Sequence, residues 1–133
     1  MDRVRRTSIV AVGLLVVVLL VAGLAACGGD DSGGGSSNKN QTITATGGKV
    51  TVDAYDIFFN ASRINAKPGT LAVTLVNKGS LLHNFSIDNP KLKIDVAAGQ
   101  TKTGTVTLEA GTYAYFCDVP GHRATMHGTL EVK

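Results

Sequence analysis

The sequence predicts an all-β domain, a sandwich or barrel of antiparallel strands, and three observations carry that prediction. Between residues 41 and 133, short segments of alternating hydrophobicity recur at close intervals. Glycine and proline turn signals separate them. No segment of this region places its apolar residues at the 3.6-residue period of a helix. A length of 133 residues fits one domain, and the chain lacks the strand–helix alternation of an α/β enzyme.

The N-terminal elements are not part of that domain. Met1–Arg6 (MDRVRR) holds three arginines against one aspartate, and Ile9–Ala26 carries no charge. A basic stretch followed by an apolar one is the pattern of a secretory signal, so residues 1–26 are read as a signal peptide. The run ends in Leu24-Ala25-Ala26-Cys27. A cysteine directly after small residues resembles the bacterial lipoprotein box, in which that cysteine becomes the lipid-modified N-terminus. The competing reading is an uncleaved anchor, because about 18 apolar residues just span a bilayer. Both readings leave the remainder outside the cytoplasm and tethered to the membrane. Gly28–Asn40 (GGDDSGGGSSNKN) has no apolar residue and cannot join a core. With lipidated Cys27 it forms a flexible tether over residues 27–40, with a reach of roughly 20 Å.

The domain over residues 41–133 follows. Lys49–Tyr55 alternates. Thr70–Val76 is rich in β-branched residues and comes after the turn signal Lys67-Pro68-Gly69. Asn84–Asp88 reads as a strand beside His83. Lys102–Leu108 follows Ala98-Gly99, Thr112–Phe116 follows Ala110-Gly111, and Gly128–Lys133 alternates to the end.

Charge excludes one class of function. The formal net charge of +3 comes from 13 basic and 10 acidic residues. Three of the former and one of the latter lie in Met1–Arg6, which leaves 10 and 9, a net charge of +1. Nucleic-acid binding needs a clustered basic face, and the mature chain has no such run.

Cys117 is the one cysteine of the mature domain, so no disulfide forms within it. An unpaired thiol outside the cytoplasm is a liability unless it is buried or ligated. Around it stand Cys117, His122 and Met126 on one short loop, with His83 upstream. Thiolate, two imidazoles and a weak axial thioether form the blue-copper donor set. Thiolate favours Cu(I), imidazole suits both oxidation states, and a scaffold that fixes a compromise geometry reduces rearrangement between them.

These residues resemble the cupredoxin family. Phe116-Cys117 with the spacing C-x4-H-x3-M-x-G-T-L looks like the copper loop of azurin, and His83-Asn84-Phe85 looks more like plastocyanin-type members. The resemblance implies a Greek-key β-sandwich and one copper ion cycling between Cu(I) and Cu(II). It makes His83, Cys117 and His122 the equatorial ligands and Met126 the axial one. Asn84 would tie the two ligand-bearing loops together, and the edge of His122 would pass electrons, with Pro120 and Gly121 around it. The pattern departs from azurin at Leu82, where azurin has a glycine whose carbonyl approaches the metal. Azurin's disulfide and helical flap also have no counterpart.

Strand alternation separates Met126 from its neighbour His127. Met126, Gly128, Leu130 and Val132 share the apolar parity and face inward; His127 shares the outward parity with Thr129, Glu131 and Lys133. Tyr113 and Tyr115 are read as sheet or core residues, and Asp118 and Arg123 as residues for solubility or docking.

The leading function is single-electron transfer without catalysis, as a monomer, between redox partner proteins of a respiratory or denitrification chain at the outer face of the cytoplasmic membrane. Copper binding and delivery is the alternative. A multicopper oxidase or nitrite reductase needs further histidines, and after His83 and His122 only His127 remains. A structural zinc site does not ordinarily use methionine.

Overall fold

In the computed structural model, residues 41–133 are described. The signal peptide over residues 1–26, Cys27 and the tether to residue 40 lie outside the described residues.

The alternating segments become strands because each buries one face. In β2 (Lys49–Tyr55), Val50, Val52 and Ala54 are buried while Lys49 and Thr51 are exposed. β5 (Gly69–Asn77) does the same with Leu71, Val73 and Leu75. The remaining strands are β1 (Gln41–Thr44), β3 (Phe58–Phe59), β4 (Ala61–Ala66), β6 (His83–Ile87), β7 (Leu92–Val96), β8 (Thr101–Leu108), β9 (Gly111–Phe116) and β10 (His127–Val132). No helix occurs among the described residues.

The strands form a sandwich of two sheets, six-stranded in the order β1-β4-β10-β9-β6-β7 and four-stranded in the order β3-β2-β5-β8. The sheets are mixed rather than wholly antiparallel. β1 and β10 each run parallel to β4, and β2 runs parallel to β5. The cause is crossover: β4 leaves the four-stranded sheet's neighbourhood for the six-stranded one, and β5 returns. Turn signals announce hairpins, which make antiparallel neighbours, and leave pairs formed by crossover unmarked. β1, β3, β4 and β7 are strands additional to those read from the alternation.

The core contains a cluster of Phe59, Phe85 and Tyr115. Phe85 and Tyr115 stack at 4.9 Å, and Phe59 lies tilted at 5.7 Å from Tyr115 and 6.0 Å from Phe85. The Tyr115 hydroxyl donates to the Ala61 carbonyl at 2.6 Å, so its buried polar end is satisfied. Gly128 lies opposite Tyr115 in the β9–β10 ladder. A Cβ there would overlap the Tyr115 ring and crowd the Ser62 carbonyl, so the ring crosses the sheet only over a glycine.

This topology positions the site. β10, β9 and β6 are consecutive neighbours. His83 opens β6, Cys117 directly follows β9, and Met126 directly precedes β10. Three adjacent strand ends therefore converge at one end of the six-stranded sheet.

Candidate metal centre

β6 alternates like the other strands, with His83, Phe85 and Ile87 facing the core. All five of its residues are nonetheless buried. Its outward residues, Asn84 and Ser86, are covered polar groups, and Asn84 takes its partners from the loop after β9.

The Asn84 side-chain carbonyl accepts from the Asp118 backbone N–H at 2.8 Å. Its amide donates to the carboxylates of Asp118 and Asp95. Its backbone N–H donates to Cys117 Sγ at 3.4 Å. One residue thus ties the loop bearing His83 to the loop bearing Cys117 and donates toward the thiolate position. Lys93 Nζ sits 2.9 Å from the other Asp118 oxygen. That contact holds the Asp118 carboxyl below its ordinary pKa and the Lys93 ammonium above its own.

Residues 117–126 close on themselves. The Cys117 N–H donates to the Met126 carbonyl at 2.9 Å, and the Met126 N–H to the His122 carbonyl at 2.9 Å. The His122 N–H donates to the Val119 carbonyl at 3.0 Å, a turn that Gly121 completes at φ 85°. The loop holds Cys117 and Met126 fully buried and leaves His122 half-buried.

The donor atoms of His83, Cys117 and His122 all lie within 4.8 Å of one another. Cys117 Sγ is 3.7 Å from His122 Nδ1, and the two imidazole centroids are 5.1 Å apart. His83 Nδ1 is buried and has no hydrogen-bond partner. A buried ring nitrogen without a partner is costly, and a metal ion among these donors would satisfy it. Copper fits this set: thiolate and thioether suit Cu(I), imidazole suits copper in both states, and methionine is not an ordinary zinc ligand. Burial pulls the His83 pKa below its ordinary value, which favours the neutral ring that binds metal.

The structure brings His83, Cys117, His122 and Asn84 together, with buried Met126 closing the same loop, while His127 is exposed. Two residues read as solubility or docking groups have specific contacts. Asp118 belongs to the Asn84–Lys93 network, and the Arg123 guanidinium lies 3.6 Å above the centre of the Phe116 ring, just before Cys117. One residue was missed in the sequence. Asp56, in the two-residue turn between β2 and β3, places Oδ1 3.4 Å from His83 Nε2. A turn aspartate carries no sequence signal for a contact 27 positions away.

A β-sandwich with Cys, His, His and Met gathered at three adjacent strand ends has the makeup of a type 1 copper protein. The chain belongs to the family of cupredoxin-like domains, whose family model matches residues 13–132. Its fold is similar to that of auracyanin A, a "blue" copper protein from Chloroflexus aurantiacus, with 22% identity over 65% of this chain and 100% of that one and a TM-score of 0.56. It is also similar to auracyanin from Roseiflexus castenholzii, with 18% identity over 67% and 99% of the two chains and a TM-score of 0.61. A reduced amicyanin variant matches with 25% identity over 67% and 86% and a TM-score of 0.52. No curated protein sequence matches the chain.

Proposed function

We propose that this protein is a type 1 blue copper electron carrier and not an enzyme. The carrying observation is the mixed donor cluster: His83, Cys117 and His122 within 4.8 Å, with a buried His83 Nδ1 that has no other partner. His83, Cys117 and His122, with Met126 closing the same loop, would hold one copper ion. Copper supplies a one-electron couple between Cu(I) and Cu(II). The protein's part is to hold its donors in one arrangement, so that little has to move when an electron arrives or leaves. Asn84 serves this by tying both ligand-bearing loops and donating to Cys117 Sγ. Half-buried His122 offers the short route to the surface.

Residues 1–26 serve as a signal peptide, and a lipid on Cys27 with the tether to residue 40 holds the domain of residues 41–133 at the outer face of the cytoplasmic membrane, on the periplasmic or cell-wall side. There it exchanges electrons, as a monomer, with redox partners of a respiratory or denitrification chain.

The deciding measurement is an absorption spectrum of the purified protein with copper quantitation. One Cu(II) per chain should give an intense thiolate-to-copper band, and Cys117→Ser should abolish it. A colourless Cu(II) complex, or a band that survives in Cys117→Ser, overturns the reading.

A further inference from the structure

We infer that Asp56 is a positioning residue for the metal centre: its carboxylate fixes which nitrogen of His83 faces the metal and places a negative charge behind that ligand. The inference rests on the copper reading and deepens it. It comes from how the carboxylate is held. Asp56 Oδ1 accepts from the Ser80 N–H at 2.8 Å, the Leu81 N–H at 3.2 Å and His83 Nε2–H at 3.4 Å, while Oδ2 accepts from the Ser80 hydroxyl at 2.6 Å. Asp56 sits after β2 in the four-stranded sheet and His83 opens β6 in the six-stranded sheet. The contact therefore joins the two sheets at the metal end.

Two further observations show that the fold is shaped around this carboxylate. Gly79 has no room for a side chain, because a Cβ there would overlap Asp56 Oδ1 and crowd its Cγ. The loop before His83 thus forms a cradle that only glycine leaves open. Its shape is set by buried Asn77, which accepts from the Gly79 N–H at 2.9 Å and donates to the Leu81 carbonyl at 2.7 Å. On the other side, Ile57 adopts φ 59°. A β-branched residue in the left-handed region is strained and persists where the surroundings enforce it. The turn thus accepts strain at the residue that follows the carboxylate.

The chemistry follows from the two ring nitrogens. A neutral imidazole carries one proton, and the nitrogen that donates cannot also bind a metal. Donation from Nε2–H to Asp56 leaves the Nδ1 lone pair free, and Nδ1 is the buried nitrogen without a partner. A carboxylate behind a ligand histidine raises its basicity and orients its ring. More basic ligands favour Cu(II) over Cu(I), so the carboxylate lowers the reduction potential.

The test uses Asp56→Asn and Asp56→Ala in the full-length protein. Asn keeps the shape and an acceptor oxygen but removes the charge; Ala removes both. The first readout is nitrogen-15 NMR of the metal-free protein, in which the tautomer of His83 is read directly. The wild type and Asp56→Asn should hold the Nε2–H form alone, and Asp56→Ala should show both forms. The second readout is the reduction potential of the copper protein. Asp56→Asn should weaken the preference for Cu(II) about tenfold, a rise of about 59 mV for one electron. A wild-type Nδ1–H form, or a potential unchanged in both variants, overturns the inference. A protein that gives no blue copper complex overturns the electron-carrier reading instead, and the tautomer measurement then decides the positioning role by itself.

Discussion

The two sheets of this sandwich are built from the same strand physics and do different work. In the four-stranded sheet, β2 and β5 alternate between core and solvent, and Thr74 meets Thr103 across the exposed face at 2.8 Å. In the six-stranded sheet, β6 is buried on both faces, and the ends of β6, β9 and β10 deliver His83, Cys117 and Met126 to one place. One sheet is mainly a platform. The other carries the donors and a network of buried polar groups to hold them. The lesson is that a metal site of this kind needs rigidity supplied from outside itself: apolar burial from the far sheet, hydrogen bonds from the near one, and polar bridges between them, from Asp56 to His83 and from Asn77 to the Val96 carbonyl.

Breaking the platform should cost stability and spare the site. Leu71 is buried near the start of β5. Asn77, which shapes the loop before His83, stands six residues further along the strand, about 20 Å away at 3.3 Å per residue. Leu71→Ala should destabilise the copper protein by about 2–5 kcal/mol in urea titration. Its absorption band should stay where it is. A shifted band would mean that the two sheets are less separable than their contacts indicate.

Gly128→Ala probes the near sheet through packing. The added methyl meets the Tyr115 ring and the Ser62 carbonyl, neither of which is the free end of a flexible chain. Overpacking of this kind costs about 1–3 kcal/mol. Because Tyr115 lies two residues before Cys117, the copper band should shift as well, unlike in Leu71→Ala. Comparing the two variants at equal loss of stability separates disturbance of the site from general weakening.

Asn84→Ala removes the tie between the ligand loops. The loss leaves the Asp118 N–H without its acceptor, at a cost of about 1–3 kcal/mol. The copper band and the reduction potential should both change, although no proposed ligand is touched. An unaltered spectrum would reduce Asn84 to a structural residue.

Much of this was legible in the sequence, for identifiable reasons. Short alternating segments with glycine and proline between them report an all-β fold because alternation and turns are local properties. The meeting of Cys117 and His122 was legible because an unpaired cysteine shares a short loop with a histidine, and His83 joined them through the His83-Asn84-Phe85 motif and the resemblance it carries. The inward direction of Met126 and the outward direction of His127 followed from parity alone, and their burial agrees. The parallel pairs were not legible, because crossover between sheets leaves no turn signature. β7 did carry a signal, since Leu92-Lys93-Ile94-Asp95-Val96 alternates, with Leu92, Ile94 and Val96 buried. Asp56 drew no reading, and Asp118 only one of solubility or docking, because their partners are distant in sequence: Ser80 and His83 for one, Asn84 and Lys93 for the other.

Arg123 gives the smallest and most selective test of how far the site's surroundings extend. Its guanidinium carbon lies 3.6 Å from the centre of the Phe116 ring, and its ion pair with Asp88, at 3.9 Å between exposed groups, adds little. A cation over an aromatic face at an exposed position contributes about 0.5–1 kcal/mol, so Arg123→Ala should lower stability by no more than that. Phe116 pairs with Ser86 in β6 and with His127 in β10, and these ladder contacts keep its backbone in place without the arginine. The copper band should therefore stay fixed. Partner exchange rates, measured against a small redox reagent of either charge, should shift in opposite directions, because a positive charge beside the Cys117 loop has been removed. A band that moved would place Arg123 inside the network that holds the thiolate, and the boundary of the site would have to be drawn one residue further out.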